Sequence, residues 1–199
     1  MSLHISAISI AGDARDAISN LFEKCEYKFS TPPETVVNWE AFHAAFVRPE
    51  DKAVVHHNSR TAIIDPELVM MLDEDSMKEL SNQFGSILTM VCEGVSATYG
   101  FSVFRNGEKI RSLTATDGEI VDEFGDALPE EDGISANTIS EDTILNLLSK
   151  LGFDYFGLEE ANEFKVYHLE SAGDEAEGVP ELPTPEAPTQ GQKPWWKFW

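Results

Sequence analysis

Asn106-Gly107 stands between two strand-like runs, Tyr99-Gly100-Phe101-Ser102-Val103-Phe104-Arg105 and Glu108-Lys109-Ile110-Arg111-Ser112-Leu113. Both turn residues tolerate the positive φ that a two-residue type I′ turn requires, so this stretch predicts a tight β-hairpin. Such a turn also sets the pairing: Arg105 faces Glu108, Phe104 faces Lys109, Val103 faces Ile110 and Ser102 faces Arg111. That register puts Phe101, Val103 and Ile110 on one inward face and leaves Ser102, Phe104, Lys109 and Arg111 on the other.

Around the hairpin, strand and helix patterns alternate. Leu3 to Ile10 reads as a strand, and Gly12-Asp13 opens a helix whose Ala14, Ala17, Ile18, Leu21, Phe22 and Cys25 share a stripe. Tyr27 to Ser30 reads as a short strand, Thr31-Pro32-Pro33 breaks the chain, and Asn38 caps a short helix carrying Trp39, Phe42 and Phe46. Ala53 to His57 and Thr61 to Asp65 predict two strands joined across Asn58-Ser59-Arg60. Asp75 or Ser76 caps a helix with Met77, Leu80 and Phe84 on one face, ended by Gly85. Ile87 to Glu93 adds a strand, Ser140 caps a helix with Ile144, Leu147, Leu148 and Leu151, and Phe164 to Leu169 is a last strand. Helices alternating with antiparallel hairpins predict an α+β fold: a single mixed, mainly antiparallel sheet with helices packed on one side.

Composition divides the chain. Residues 1–170 carry the folding patterns and form one acidic α+β domain. Ser171 to Pro194 holds five prolines, three glycines and five acids, too little apolar matter to offset its chain entropy, so 171–194 is a disordered Pro/Glu-rich linker. Residues 195–199, Trp195-Trp196-Lys197-Phe198-Trp199, form an aromatic hook.

Charge narrows the function classes. With 14 basic and 36 acidic residues the net charge is −22, a field that repels nucleic acid and anionic lipid and favours a basic protein partner. No run reaches the roughly 18 to 20 apolar residues of a membrane span, and Met1-Ser2-Leu3-His4-Ile5-Ser6 lacks the marks of a secretory signal, so a cytoplasmic address is expected. Cys25 and Cys92 each fall in an apolar pattern and read as buried small hydrophobes.

The densest charge lies in Asp117 to Asp132, read as a loop. Eight of its sixteen residues are acids (Asp117, Glu119, Asp122, Glu123, Asp126, Glu130, Glu131 and Asp132) and none is a base. The run fails the strict calcium-loop spacing, so no metal is expected; it reads as a solvated loop or, in the functional alternative, as a docking surface for a basic partner. The hook supplies the second contact: Trp195, Trp196, Phe198 and Trp199 offer the rings that anchor interfaces, with a membrane interface and back-folding onto the domain as its rivals. His56-His57 cannot share a metal, because neighbouring strand residues point to opposite faces. No Gly-x-Ser-x-Gly elbow, Gly-rich phosphate loop or Walker pattern occurs, so no catalytic residue and no cofactor are assigned.

The hairpin, with its Arg-containing second strand and then Gly125-Asp126-Ala127-Leu128-Pro129-Glu130-Glu131, resembles small uncharacterised bacterial cytosolic domains. Those share a strand, an Asn/Asp-Gly turn, an Arg-containing strand and a Gly-x-x-Leu-Pro-Glu-Glu loop. The aromatic ending resembles tails on assorted bacterial proteins; the resemblance covers about a third of the chain and implies no activity. The expected function is therefore a non-catalytic interaction protein, of immunity or adaptor kind, held to a basic partner by two contacts on one flexible chain. The alternative is a small-molecule-binding domain or enzyme with a pocket on the sheet, for which Arg105, Arg111 and His57 are the candidate anion contacts.

Overall fold

The computed structural model describes residues 4–45, 50–67, 73–135 and 138–170. The linker 171–194 and the aromatic residues 195–199 therefore lie outside the described residues, as does Phe46.

Among the described residues nine strands form one sheet: β1 (His4–Ala11), β2 (Glu34–Val36), β3 (Lys52–His57), β4 (Arg60–Asp65), β5 (Ser86–Glu93), β6 (Thr98–Arg105), β7 (Glu108–Thr116), β8 (Glu119–Phe124) and β9 (Phe164–Tyr167). Their order is β2-β9-β3-β4-β1-β5-β6-β7-β8, and every neighbouring pair is antiparallel. The described residues also hold four α-helices: α1 (Arg15–Lys24), α2 (Trp39–Ala45), α3 (Glu74–Phe84) and α4 (Glu141–Lys150).

The α+β class and the single sheet are as expected, but the sheet is antiparallel throughout and its helices cover both faces rather than one. Ala7, Ala53, Val55, Ile64, Met90 and Phe101 point to one side, where Phe42 of α2 and Ile144, Leu147 and Leu148 of α4 pack on them. Ile8, Ile10, Val54, Ile63 and Ile87 point to the other, against Ile18, Leu21 and Phe22 of α1 and Met77 and Leu80 of α3. Central strands buried on two faces lose the apolar/polar alternation of a half-wet sheet. Each face of β1 carries one buried serine: Ser6 and Ser9 are wholly buried, with the Ser6 hydroxyl donating to the Asp65 carbonyl at 2.9 Å and Ser9 Oγ accepting from Arg60 Nε at 2.6 Å.

Local signals fared unevenly. Asn38 caps α2 through its Oδ1, 2.7 Å from the Ala41 amide, and Ser140 caps α4, accepting from the Thr143 amide. The cap of α3 is Asp73 rather than Asp75 or Ser76, because its carboxylate takes both the amide and the hydroxyl of Ser76. Tyr27 to Ser30 contributes one isolated bridge, Phe29 to Leu169, while the short strand β2 forms after Pro32-Pro33. No helix among the described residues is long and apolar enough to cross a membrane.

Candidate functional site

The β6–β7 hairpin forms as the dipeptide demands, with Asn106 at φ 49 and Gly107 at φ 86. Its tip is seated on the end of α3: the Gly107 amide donates to Ser81 Oγ at 2.8 Å and the Asn106 amide to the Gly85 carbonyl at 3.1 Å. The positive φ is what favours glycine at 107; a Cβ there would meet only the end of the exposed Asn82 side chain, which can turn aside.

The expected register holds for two pairs, Arg105 with Glu108 and Phe104 with Lys109, and then breaks. Ile110 is an extra residue, a β-bulge, after which Val103 faces Arg111 and Ser102 faces Ser112. A one-residue slip turns every following side chain to the opposite face. Lys109 thus stays on the α3 side, 3.2 Å from Glu74 and over the Phe124 ring, whereas Arg111 passes to the α4 side and is buried.

Buried there, Arg111 acts as a latch on the acidic run. Its Nε donates to Glu131 Oε1 at 2.9 Å and its Nη2 to Glu131 Oε2 at 2.8 Å, while Nη2 also lies 2.9 Å from Glu123. Nη1 donates to the carbonyls of Gly125 at 2.8 Å and Phe124 at 3.3 Å. Glu131 Oε1 takes the Leu128 amide as well, at 2.8 Å, closing the 3-10 turn Pro129–Glu131. The hydrogen bonds it donates to Glu131 hold the Arg111 guanidinium above its ordinary pKa. Gly125 lies over the bulge: its φ is 77, and a Cβ there would stand 2.1 Å from the Ile110 carbonyl oxygen. The Gly-x-x-Leu-Pro-Glu-Glu segment is thus the structural counterpart of Arg111.

The acidic run is not a loop throughout, since Glu119–Phe124 forms β8, the last strand of the sheet. Charge density concealed it, as did a second irregularity at Ala115 that interrupts the alternation of Ile120, Val121 and Phe124. All six residues of β8 are exposed, including Ile120 at 40%, Val121 at 62% and Phe124 at 49%. Asp117, Glu119, Asp122, Asp126 and Asp132 are exposed too, Glu130 is half-buried, and Glu131 is buried on Arg111, which removes it from the surface. No Lys, Arg or His occurs between Arg111 and Lys150. The result is a strand edge carrying apolar and anionic side chains together. No family model, curated protein or solved structure matches the chain.

The three candidate anion contacts do not converge. Arg105 is exposed at the hairpin tip, Arg111 is buried on the other side of the bulge, and His57 ends β3, four strand positions from β6 and so about 19 Å away. His57 lines a cavity of about 30 Å³ with Arg60, Phe153 and Asp154, the size of one water molecule rather than a metabolite. His56 points the opposite way, toward Thr61, as adjacent strand residues must. Burial pushes the Cys25 thiol up to about 11 and the Cys92 thiol up to about 12, so both stay protonated near neutrality.

One charged cluster escaped the sequence reading. Lys52 and Asp65 are both fully buried and paired at 2.8 Å; Lys52 also reaches Glu67 at 2.7 Å and lies over the Tyr27 ring. Beside it, buried Asp51 meets His168 Nδ1 at 3.0 Å. Lys52 and Asp65 belong to two strands that pair directly, so the cluster ties the ends of β3 and β4 together. Their sequence separation gave no local signal.

Proposed function

We propose that this chain is a non-catalytic interaction protein, adaptor- or immunity-like, that holds a basic protein partner on the acidic surface around β8. The observation that supports this best is the state of that strand: apolar Ile120, Val121 and Phe124 stand exposed among Glu119, Asp122 and Glu123, with no base nearby in sequence. Anionic groups around an apolar patch steer a cationic partner in and let aromatic contact hold it. The hook Trp195, Trp196, Phe198 and Trp199 is the second contact in this reading, joined by the linker so that two modest affinities multiply. The address is the cytoplasm, where two unpaired cysteines stay reduced.

The test is affinity capture from a native lysate by the full chain and by a variant with Glu119, Asp122, Asp126, Glu130 and Asp132 converted to their amides. A high-pI protein should be retained by the parent, released as salt rises, and lost from the variant. Identical captured sets at low and high salt overturn the proposal.

A further inference from the structure

We infer that the partner binds by strand addition, an inference that rests on the reading above: an extended basic segment pairs with the outer edge of β8 and becomes the next strand of the sheet. The backbone of β8 bonds to β7 on one side only, so alternate amides and carbonyls along its other side have no sheet partner among the described residues. An open strand edge is a template for another chain.

The side chains say which chain fits. Pairing with β7 puts Ile120 and Glu123 on the α4 side, opposite Ala115 and Leu113, and Glu119, Asp122 and Phe124 on the α3 side, opposite Thr116, Thr114 and Ser112. Each side therefore shows at least one acid next to one apolar residue. Glu123 is already paired with Arg111, so an incoming strand fits by carrying Lys or Arg toward Glu119 and Asp122 on the α3 side and an apolar residue toward Ile120 on the α4 side. A second copy of this chain does the opposite, since edge-to-edge pairing of two β8 strands would stack carboxylates on carboxylates. The acids thus exclude self-association while admitting a cationic strand. Edge protection alone accounts for the charge and the irregularity at Ala115, yet it leaves three exposed apolar side chains on a six-residue strand unaccounted for.

The edge is also pre-shaped. Arg111 grips Glu123 and the carbonyls of Phe124 and Gly125, and Lys109 covers the Phe124 ring, so β8 is ordered before anything arrives. Pre-ordering removes an entropy cost from association.

The probe is a synthetic peptide of about seven residues alternating Lys and Val, long enough to span β8, titrated into the full chain. Two further versions carry N-methyl groups on alternate amides, one in each frame, and a fourth replaces Lys by Glu. The Lys peptide should bind; one methylated frame should lose at least about tenfold in affinity while the other binds nearly as well, because only one set of amides faces the sheet. Amide exchange over residues 119–124 should slow on binding, and the Glu peptide should not bind. Equal binding of both frames with unchanged exchange overturns strand addition but leaves the acidic-surface reading standing. Failure of the Lys peptide to bind also overturns it, and the amide-variant capture then decides the broader reading separately. Val121→Lys, which sets a cation among the acids of the strand, should weaken the Lys peptide. A chain that dimerises through β8 without any peptide contradicts the self-exclusion argument and overturns the inference.

Discussion

The two edges of the sheet are built on opposite principles. At one end, β2 is three residues long, follows Pro32-Pro33, and offers little backbone to pair with. At the other, β8 is six residues long, wholly exposed, and fixed from behind by a buried guanidinium. Short length and proline are ordinary ways to blunt an edge. β8 carries acids and an irregularity of its own, yet Arg111 fixes it in place with three apolar side chains exposed, which indicates that this edge is kept ordered rather than covered.

The largest expected effect comes from removing the latch. Arg111→Met leaves Glu131 buried without its counter-charge and should cost about 3–5 kcal/mol in urea unfolding. The double variant Arg111→Met with Glu131→Gln should lose less, because the uncompensated charge is gone. A single-variant loss under about 1 kcal/mol would place Arg111 among ordinary surface ion pairs and dissolve the contrast between the edges.

Gly125→Ala comes next. Its Cβ would meet the Ile110 carbonyl at 2.1 Å on a residue at φ 77, so a loss of about 2–3 kcal/mol is expected. The same change should perturb amide exchange in β8 more than in β2, and equal perturbation would argue against a bulge-centred latch.

Acid provides a smaller lever on α3, which carries the hairpin tip. Hydrogen bonds from Ser76 hold the Asp73 carboxyl below its ordinary value of 3.8. A depressed carboxyl contributes stability above that ordinary value and loses it as pH falls through the lower, folded value. Asp73→Ala should cost about 1 kcal/mol at neutral pH, whereas Asp73→Asn should keep most of the cap. Melting curves from neutral to strongly acid pH should show the parent's advantage over Asp73→Asn shrinking below about pH 4.

The smallest effect sharpens the comparison directly. Val37, just past β2, is 67% exposed, and Val37→Lys should stay within about 0.5 kcal/mol and leave partner capture unchanged. Val121→Lys should be as mild for stability yet weaken capture; equal capture by both variants would erase the functional difference between the edges.

Much of the fold was legible where the signal is local. Asn106-Gly107 fixes a turn by backbone sterics, and Asn38 and Ser140 cap helices with their own side chains, so neighbouring residues suffice to read them. The face of Arg111 was misread because a two-residue turn was extended into a regular strand. The signal was present: Ile110 and Leu113 are an odd number of residues apart and cannot share a face without a bulge. The second helical layer left no local signal in β1, where Ser6 and Ser9, one on each face, have their polarity satisfied by groups remote in sequence. In β8 the charge outweighs three apolar residues and mimics a loop, and the Lys52–Asp65 pair joins residues that only the pairing of β3 with β4 brings together.

Arg111 also decides where mechanical load goes. A pull on anything held along the rim would reach β7 through a guanidinium gripping two carboxylates and two carbonyls, as well as through the outermost ladder. From β7 it passes around the turn into α3 through the Ser81 hydroxyl. Tension on the rim is thereby spread into the interior, and the last strand need not peel away alone.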